Sequence, residues 1–548
     1  MNVKKWIASV LAVATMASLT ACGGGSNGGN TPSAQPTDSV SPSASEAVSG
    51  GTATYAMAGG WETLTPGYWC SAGAYGTMVW AQIYDKLVNV SPEGYTPRGA
   101  LSWSINEDKT VMTFKLDPEA KFSDGEPVTA HDWEFSARLL ATADFGAPDY
   151  TKLCVLFAGT DDTGLIDESS EPFGVKAVDD ETLEITFKEA MTFDTFFNSY
   201  QMYLFVLPQH CFEGMSAAEI AASDFWNDPV CSGPWTVESS VVNSSLTLVP
   251  NQYYHLGVPK LDKLIITVMD SSNFASALMS GTIDYCYPAV SSTEAEALET
   301  VGGVEIVTSA NPDTFWFFCV SNQKVSDAKV RTAINMAIDK QLIADQLFAG
   351  GATPVESVEL YGSYLYNNDL TTNYDPEGAK ALLDEAGWDY SYTLKIATPA
   401  GVRAQIATII EQELEAIGMD VQVDQLDIGT MYAEMHAGNY DGIMGGGMPS
   451  LDPLYFQSNL EYTNQSTSII KTDDPTYHEL AQKISTAATD EEKLTYVMEY
   501  QQYMHDQMVT IPVVAVYSHM AYTSRLGGIN PNMSAYYNDN TWEWFVQD

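Results

Sequence analysis

From about residue 53 to about residue 530 the chain switches repeatedly between two hydrophobic periods, and this switching restricts its fold more than any other feature. In Val111-Met112-Thr113-Phe114-Lys115-Leu116, the apolar Met112, Phe114 and Leu116 alternate with more polar residues, the period of a half-buried strand. Leu183, Ile185 and Phe187 alternate in the same way with Glu184, Thr186 and Lys188, and Ala53 to Ala58 reads as a first short strand. Helical stripes stand between such segments. Thr129 precedes Asp132 by three residues as a capping box, and Phe135, Leu139 and Leu140 then share one face. Asp375-Pro376 offers an N-cap and a proline at the first helical position, with Gly387 as the stop. Ile406, Ile410, Leu414 and Ile417 form a stripe that ends at Gly418, after which Val421 and Val423 alternate. Thr489 with Glu492 opens a last helix, and Ser326 is the expected N-cap of the helix carrying Val330, Ile334, Ala337 and Ile338. Helices alternating with strands, without a short repeat, predict an α/β fold.

The first residues are of another kind. Lys4 and Lys5 precede an apolar run from Trp6 to Leu19 that is short for a membrane span, the pattern of a secretory signal peptide over 1–21. Its end, Leu19-Thr20-Ala21-Cys22, resembles the bacterial lipobox, which implies cleavage before Cys22 and a lipid on that cysteine. The alternative is an ordinary signal peptide with an incidental cysteine. Residues 22–51 are Gly, Ser, Thr, Pro, Ala and Asn with little that is apolar, a composition that favours a flexible leash. The expected location is extracytoplasmic, lipid-anchored to the outer face of the cell membrane or periplasmic, with that lipid as the sole membrane attachment.

Charge and chemistry narrow the function. With 24 basic against 71 acidic residues, a net charge of -47, the chain repels nucleic acid and anionic lipid. Its 548 residues predict two or three domains. Beyond Cys22 the cysteines are Cys70, Cys154, Cys211, Cys231, Cys286 and Cys319; none has a C-x-x-C spacing, and both free buried thiols and disulfides remain open. No P-loop is present. Two S-x-x-K matches, at Ser321 and Ser326, lack the partner motifs of penicillin-binding enzymes. No two of the seven histidines fall at H-x-x-x-H or H-x-H spacing, so neither metal nor cofactor is expected. Acidic pairs such as Asp161-Asp162 and Asp473-Asp474 read as solvated surface in so acidic a chain.

Several stretches together resemble one family. Trp103 to Trp133, with its Phe122-Ser-Asp-Gly-Glu-Pro127 and Thr129-Ala-His-Asp132, resembles the signature strand, turn and helix of the family 5 extracytoplasmic solute-binding proteins, the peptide and nickel binders of ABC importers. Cys231-Ser-Gly-Pro-Trp235, Leu246 to Tyr254, Ala277 to Asp284 and Asp327 to Lys340 resemble further segments of the same family. The resemblance implies a two-lobed periplasmic-binding-protein-like clamp of type II with an additional small α/β subdomain. Lobe I would comprise 52–96, 222–311 and 512–548, the inserted subdomain 97–221, and lobe II 312–511. It also implies a non-enzymatic monomer that captures a peptide or peptide-like solute and passes it to the permease and ATPase of an importer. Another solute such as an oligosaccharide or metal chelate, a surface sensor and a cell-surface hydrolase are the alternatives.

In peptide-binding relatives, an Asp in the loop after the strand equivalent to Tyr440-Asp441-Gly442-Ile443 pairs with the peptide amine. Here the loop runs Met444-Gly-Gly-Gly-Met-Pro-Ser-Leu-Asp-Pro453; Asp452-Pro453 matches its end, but the amine partner falls on uncharged Pro449 or Ser450. The expected pocket is therefore lined by Trp61, Tyr68, Trp69, Trp316, Arg403, Gly445, Gly446, Gly447 and Met448, with ligand held by aromatic faces and main-chain contacts. Arg403 is expected to pair a ligand carboxylate or else to form a structural salt bridge, and the aromatics of the 61–69 loop to face ligand or else to fill core.

Overall fold

A computed structural model provides the fold. It describes residues 50–547 apart from 67–68, 92–93, 148–150, 167–171, 198–203, 310, 313, 360, 448–451, 455–473, 488 and 531–539. The signal peptide, Cys22 and the leash lie outside the described residues.

Three sheets organise the chain. The first lobe is built on a seven-stranded sheet in the order Val304–Thr308, His519–Thr523, Tyr285–Tyr287, Thr52–Met57, Lys263–Val268, Ser245–Pro250 and Trp235–Val241. The central Thr52–Met57 runs parallel to both its neighbours. The second lobe has six strands, in the order Ala352–Pro354, Ile511–Val516, Thr314–Val320, Gly442–Gly447, Thr393–Thr398 and Asp420–Gln425. A smaller antiparallel sheet, Ala100–Ile105, Val111–Leu116, Thr182–Thr186 and Val175–Asp179, packs against helix Ala130–Leu140. The capping box of that helix forms, with the Thr129 amide donating to Asp132 Oδ2 at 2.8 Å.

Burial follows period. In Thr314–Val320, Phe315, Phe317 and Cys319 enter the core on one face of the six-stranded sheet, while Phe318 and Val320 enter the core on the other. Helices cover both faces, so this strand is almost continuously apolar. In the first lobe, one buried cluster runs from Tyr55 and Trp61 through Phe114 and Leu183, so the small sheet shares its core with the lobe from which it emerges.

The two lobes repeat one local device. Gly281 and Gly438 both have positive φ, 66° and 80°, and each is followed three residues later by a buried aspartate, Asp284 or Asp441. The Asp284 amide donates to Thr54 O at 2.8 Å and its carboxylate accepts the Thr54 amide at 2.9 Å. Asp441 does the same with Lys395, at 2.9 and 2.8 Å. Each carboxylate also meets a cation, Arg525 at 2.6 Å and Lys324 at 3.2 Å, so the helix-to-strand turn is locked to the neighbouring strand.

Three expectations need correction. Strand Ile511–Val516 belongs to the six-stranded sheet, so the chain leaves that sheet after Val516 and re-enters the seven-stranded one at His519, not near 511; the strand accommodates Pro512 because pairing with Ala352–Pro354 covers only Val514 to Val516 and the ladder to Thr314–Val320 is irregular between Trp316 and Phe317. The helix over Ala328–Ala337 is capped by Asp327, whose side chain accepts the Lys329 amide at 2.8 Å, leaving Ser326 outside it. The aromatic loop expected through residue 69 ends where helix Trp69–Ile83 begins. Among the described residues Cys154, Cys211, Cys231, Cys286 and Cys319 are free thiols. No described helix is long and apolar enough to cross a membrane.

Candidate functional site

Two short crossings join the lobes, 309–313 and 517–518, and they bond to each other: the Ser309 amide donates to Ser518 O at 2.9 Å and the Ser518 amide to Ser309 Oγ at 3.0 Å. Parallel strands in both sheets direct their carboxyl ends to loops beside these crossings, the place where open α/β sheets bind ligands. In the second lobe Thr393–Thr398 runs parallel to both Asp420–Gln425 and Gly442–Gly447. Arg403 stands just beyond Thr398, in the first turn of helix Val402–Ala416, whose start is set by Gly401 at φ 91°.

The Arg403 guanidinium lies 5.1 Å from the centre of the Trp316 ring. It is half-buried, and no carboxylate among the described residues comes within ion-pair distance. Burial lowers its basicity, with Tyr432 nearby opposing that shift. An arginine stacked on an aromatic face, with its fork of N–H donors unused by the described residues, is arranged to receive a planar anion such as a carboxylate. Trp316 brings a buried indole Nε1 that has no hydrogen-bond partner among the described residues.

The glycine run packs against aromatic rings. Gly447, Gly446 and Gly445 pair across the strands with Phe315, Trp316 and Phe317. A Cβ on Gly446 would lie 2.1 Å from the Trp316 ring, and one on Gly445 2.3 Å from Phe317. The glycines make room for aromatic rings, and through them set where Trp316 lies under Arg403. Met448 and Tyr68 lie outside the described residues, as does the side chain of Trp69. Trp61 has no exposed surface; its Nε1 donates to Ser240 Oγ at 3.4 Å, and it belongs to the core of the first lobe instead of a ligand wall.

The first lobe presents other aromatics at its carboxyl ends. Tyr75 closes on Gly59, where a Cβ would stand 2.3 Å from its ring, and meets Tyr287 edge-on at 5.9 Å. Both tyrosines are half-buried. The sequence carried a signal for Tyr287, which directly follows the Gly281 to Asp284 turn at a strand end, but none for Tyr75, which comes from mid-helix.

Further contacts tie the small sheet's region to the second lobe. Asp194 takes an ion pair from Lys493 and a hydrogen bond from Tyr95 OH at 2.7 Å; Thr195 Oγ1 donates to Asp452 Oδ1 at 3.0 Å, and Lys109 Nζ donates to Ala487 O. Buried Glu359 is close enough to Asp452 to feel its charge. Burial, then Asp452, pushes the Glu359 carboxyl well above the usual carboxylate range. An acid raised in the folded state favours folding only while neutral, so its penalty grows as pH rises past its ordinary 4.5. Glu359→Gln is therefore expected to raise unfolding free energy at pH 7 by on the order of 1–3 kcal/mol, with the gain vanishing near pH 4, as read from paired thermal melts.

A serine and histidine do meet, Ser292 Oγ lying 3.0 Å from His519 Nε2. The other ring nitrogen faces the Thr308 hydroxyl at 2.9 Å, where a nucleophile-base set would need a carboxylate to stabilise imidazolium. Burial also lowers the His519 pKa.

Known proteins share this architecture. The family model described as bacterial extracellular solute-binding proteins, family 5 Middle, matches residues 94–468. A Brucella abortus protein named as an ABC transporter peptide-binding protein is 29% identical over 313 residues, 56% of this chain and 53% of its own, so the match spans about half the length of that relative. The periplasmic murein peptide-binding protein MppA of Escherichia coli is 23% identical over 435 residues, covering 74% of this chain and 77% of its own. The crystal structure of the ABC transporter substrate-binding protein CtaP from Listeria monocytogenes superposes with a TM-score of 0.77 at 22% identity, covering 91% of this chain and all of that one.

Proposed function

The chain belongs to the bacterial extracellular solute-binding proteins of family 5, and from that premise we propose that it captures a peptide or peptide-like solute between its lobes and delivers it to the permease of an ABC importer. The observation that carries the ligand class is the half-buried guanidinium of Arg403, without an ion-pair partner among the described residues, stacked on Trp316 at the carboxyl ends of the second lobe's strands. Such a group is costly to leave unpaired, and a ligand carboxylate arriving on the exposed side of the fork relieves that cost. Tyr75 and Tyr287 face ligand from the first lobe, taking the part first expected of Trp61. The names of the relatives, which include peptide-binding and murein peptide-binding proteins, support the same class. Cys22 supplies the lipid anchor and 22–51 the tether. Lobe I comprises 52–96, 222–311 and the chain from His519, the small subdomain 97–221, and lobe II 312–516. The protein acts as a monomer, and no bond is made or broken.

Recognition is weighted to the carboxyl end of the ligand, because the expected amine partner is uncharged at Pro449 and Ser450. Native mass spectrometry of the protein as purified identifies any carried solute. Titration then compares peptides blocked at either end: amidation of the carboxylate is expected to weaken binding at least tenfold, acetylation of the amine less than threefold. The reverse ranking overturns this reading and turns attention to Glu359 and Asp452 as the acids that hold an amine. A bound sugar or metal chelate discards the peptide assignment altogether.

A further inference from the structure

Outside the cleft, Asp124, His210 and Cys211 bring one carboxylate oxygen, one imidazole nitrogen and one thiol sulfur within 4.8 Å of one another. We propose that this trio is a binding site for a thiophilic divalent cation of the Zn2+ class. A carboxylate oxygen, an imidazole nitrogen and a thiolate sulfur are donor types that Zn2+ takes, at ~2.0–2.3 Å once the side chains close on the ion, and three protein ligands leave a fourth, open position for water.

The scaffold holds each donor in place before any ion arrives. Asp124 sits in a turn closed by the Gly125 amide on Phe122 O at 2.9 Å, and its Oδ1 accepts the Glu126 amide at 3.2 Å, which turns Oδ2 toward His210 Nε2 at 2.8 Å. That turn is tied down in turn by the Ser123 amide on Cys231 O at 2.8 Å. His210 and Cys211 lie on the 3-10 turn Gln209–Phe212, held by the Gln209 amide on Asp132 Oδ1 at 3.0 Å and by Phe212 in an aromatic cluster with Phe135, Phe225 and Trp226. The imidazole meets Phe122 edge-on at 5.5 Å, which fixes its plane. Asp124 and His210 remain partly open to solvent, so an ion has a path in.

The donor set also selects the ion. A thiolate and an imidazole favour Zn2+ or Co2+ over Mg2+ or Ca2+, which seek oxygen alone. On binding, the S–H bond of Cys211 breaks and its electron pair forms the metal–sulfur bond, while the proton passes to solvent. Thiolate and carboxylate together then neutralise the two positive charges of the ion. The consequence is a metal clamp between the turn at 123–126 and the turn at 209–212, which shares no residue with the proposed solute site.

The test uses the full chain without a polyhistidine tag, stripped with chelator and titrated with Zn2+ by calorimetry and with Co2+ by absorption. One equivalent of Zn2+ and a thiolate-to-cobalt charge-transfer band in the near ultraviolet are expected, with a rise in melting temperature on Zn2+ addition. C211S should lose the band and weaken Zn2+ at least ~100-fold, and H210A at least ~10-fold, while both melt like the wild type when metal-free. R403A should bind Zn2+ as the wild type does. Absence of stoichiometric Zn2+ binding, or a thiolate band that survives in C211S, overturns the proposal.

Discussion

Replacing Arg98 by methionine is expected to cost about 3–5 kcal/mol of stability, a large effect for a single substitution of a charged residue. Arg98 has no exposed surface, pairs through Nε with Asp85, donates from Nη1 to Asn89 Oδ1 at 3.3 Å and lies 5.3 Å from the centre of the Trp542 ring. Asp85 Oδ2 meets His255 Nε2 at 2.9 Å, and His255 Nδ1 meets Asp117 Oδ2 at 2.9 Å. The result is a buried relay of alternating charge. Removing its first cation leaves Asp85 with too little compensation, which is worse than never having buried a charge there.

The same relay dictates a pH profile. Burial works against the charged form of Asp85, yet Arg98 and His255 outweigh it and hold the carboxyl below its ordinary 3.8. Its stabilisation is therefore present above that value and is lost as pH falls through the lower folded pKa. Burial likewise works against charged His255, and the Asp85 and Asp117 carboxylates outweigh it, raising the imidazole above its ordinary 6.5. That contribution is complete below 6.5 and is lost as pH rises through the higher folded value. Thermal melts across pH should show the wild type losing stability at both ends, and H255Q losing the alkaline limb. A stable R98M protein, or an unchanged alkaline limb in H255Q, contradicts the relay.

Arg403→Ala is expected to lower affinity for a peptide with a free carboxylate by about 30- to 100-fold, the worth of a charge-assisted, bidentate hydrogen-bonded pair in a partly desolvated site. Lysine should restore only part of this, since an ammonium has neither the planar fork nor the face that lies on Trp316. Melting temperature in the absence of ligand should not fall, because Arg403 has no ion-pair partner among the described residues to strand. Calorimetric titration of the alanine and lysine variants, read beside their ligand-free melts, separates binding from folding. Wild-type affinity in the alanine variant would remove Arg403 from the site.

What the sequence determined by itself is what a few neighbouring residues decide together. The capping box at Thr129 and Asp132, the Asp375-Pro376 start and left-handed Gly387 stop, and the Thr489 cap all form where local chemistry placed them, because each satisfies backbone groups within one helical turn. The strand at Val111–Leu116 follows from a two-residue period for the same reason: successive side chains must point to opposite faces. Family segments such as Asp327 to Lys340 extended that reach from elements to the clamp, since they mark where the elements sit in a known order.

Only the tertiary structure decided which side chains meet. Trp61 and Trp316 are alike in sequence, yet one is sealed beneath the first lobe and the other supports a guanidinium from 87 positions away, a separation no local pattern encodes. The glycines at 445–447 read as open backbone until the register of Thr314–Val320 set an aromatic ring over each. Arg98, Asp85, Asp117 and His255 are four ordinary charges among many in the chain until folding removes water from between them; burial then makes their pairing compulsory, and burial is a property of the whole fold.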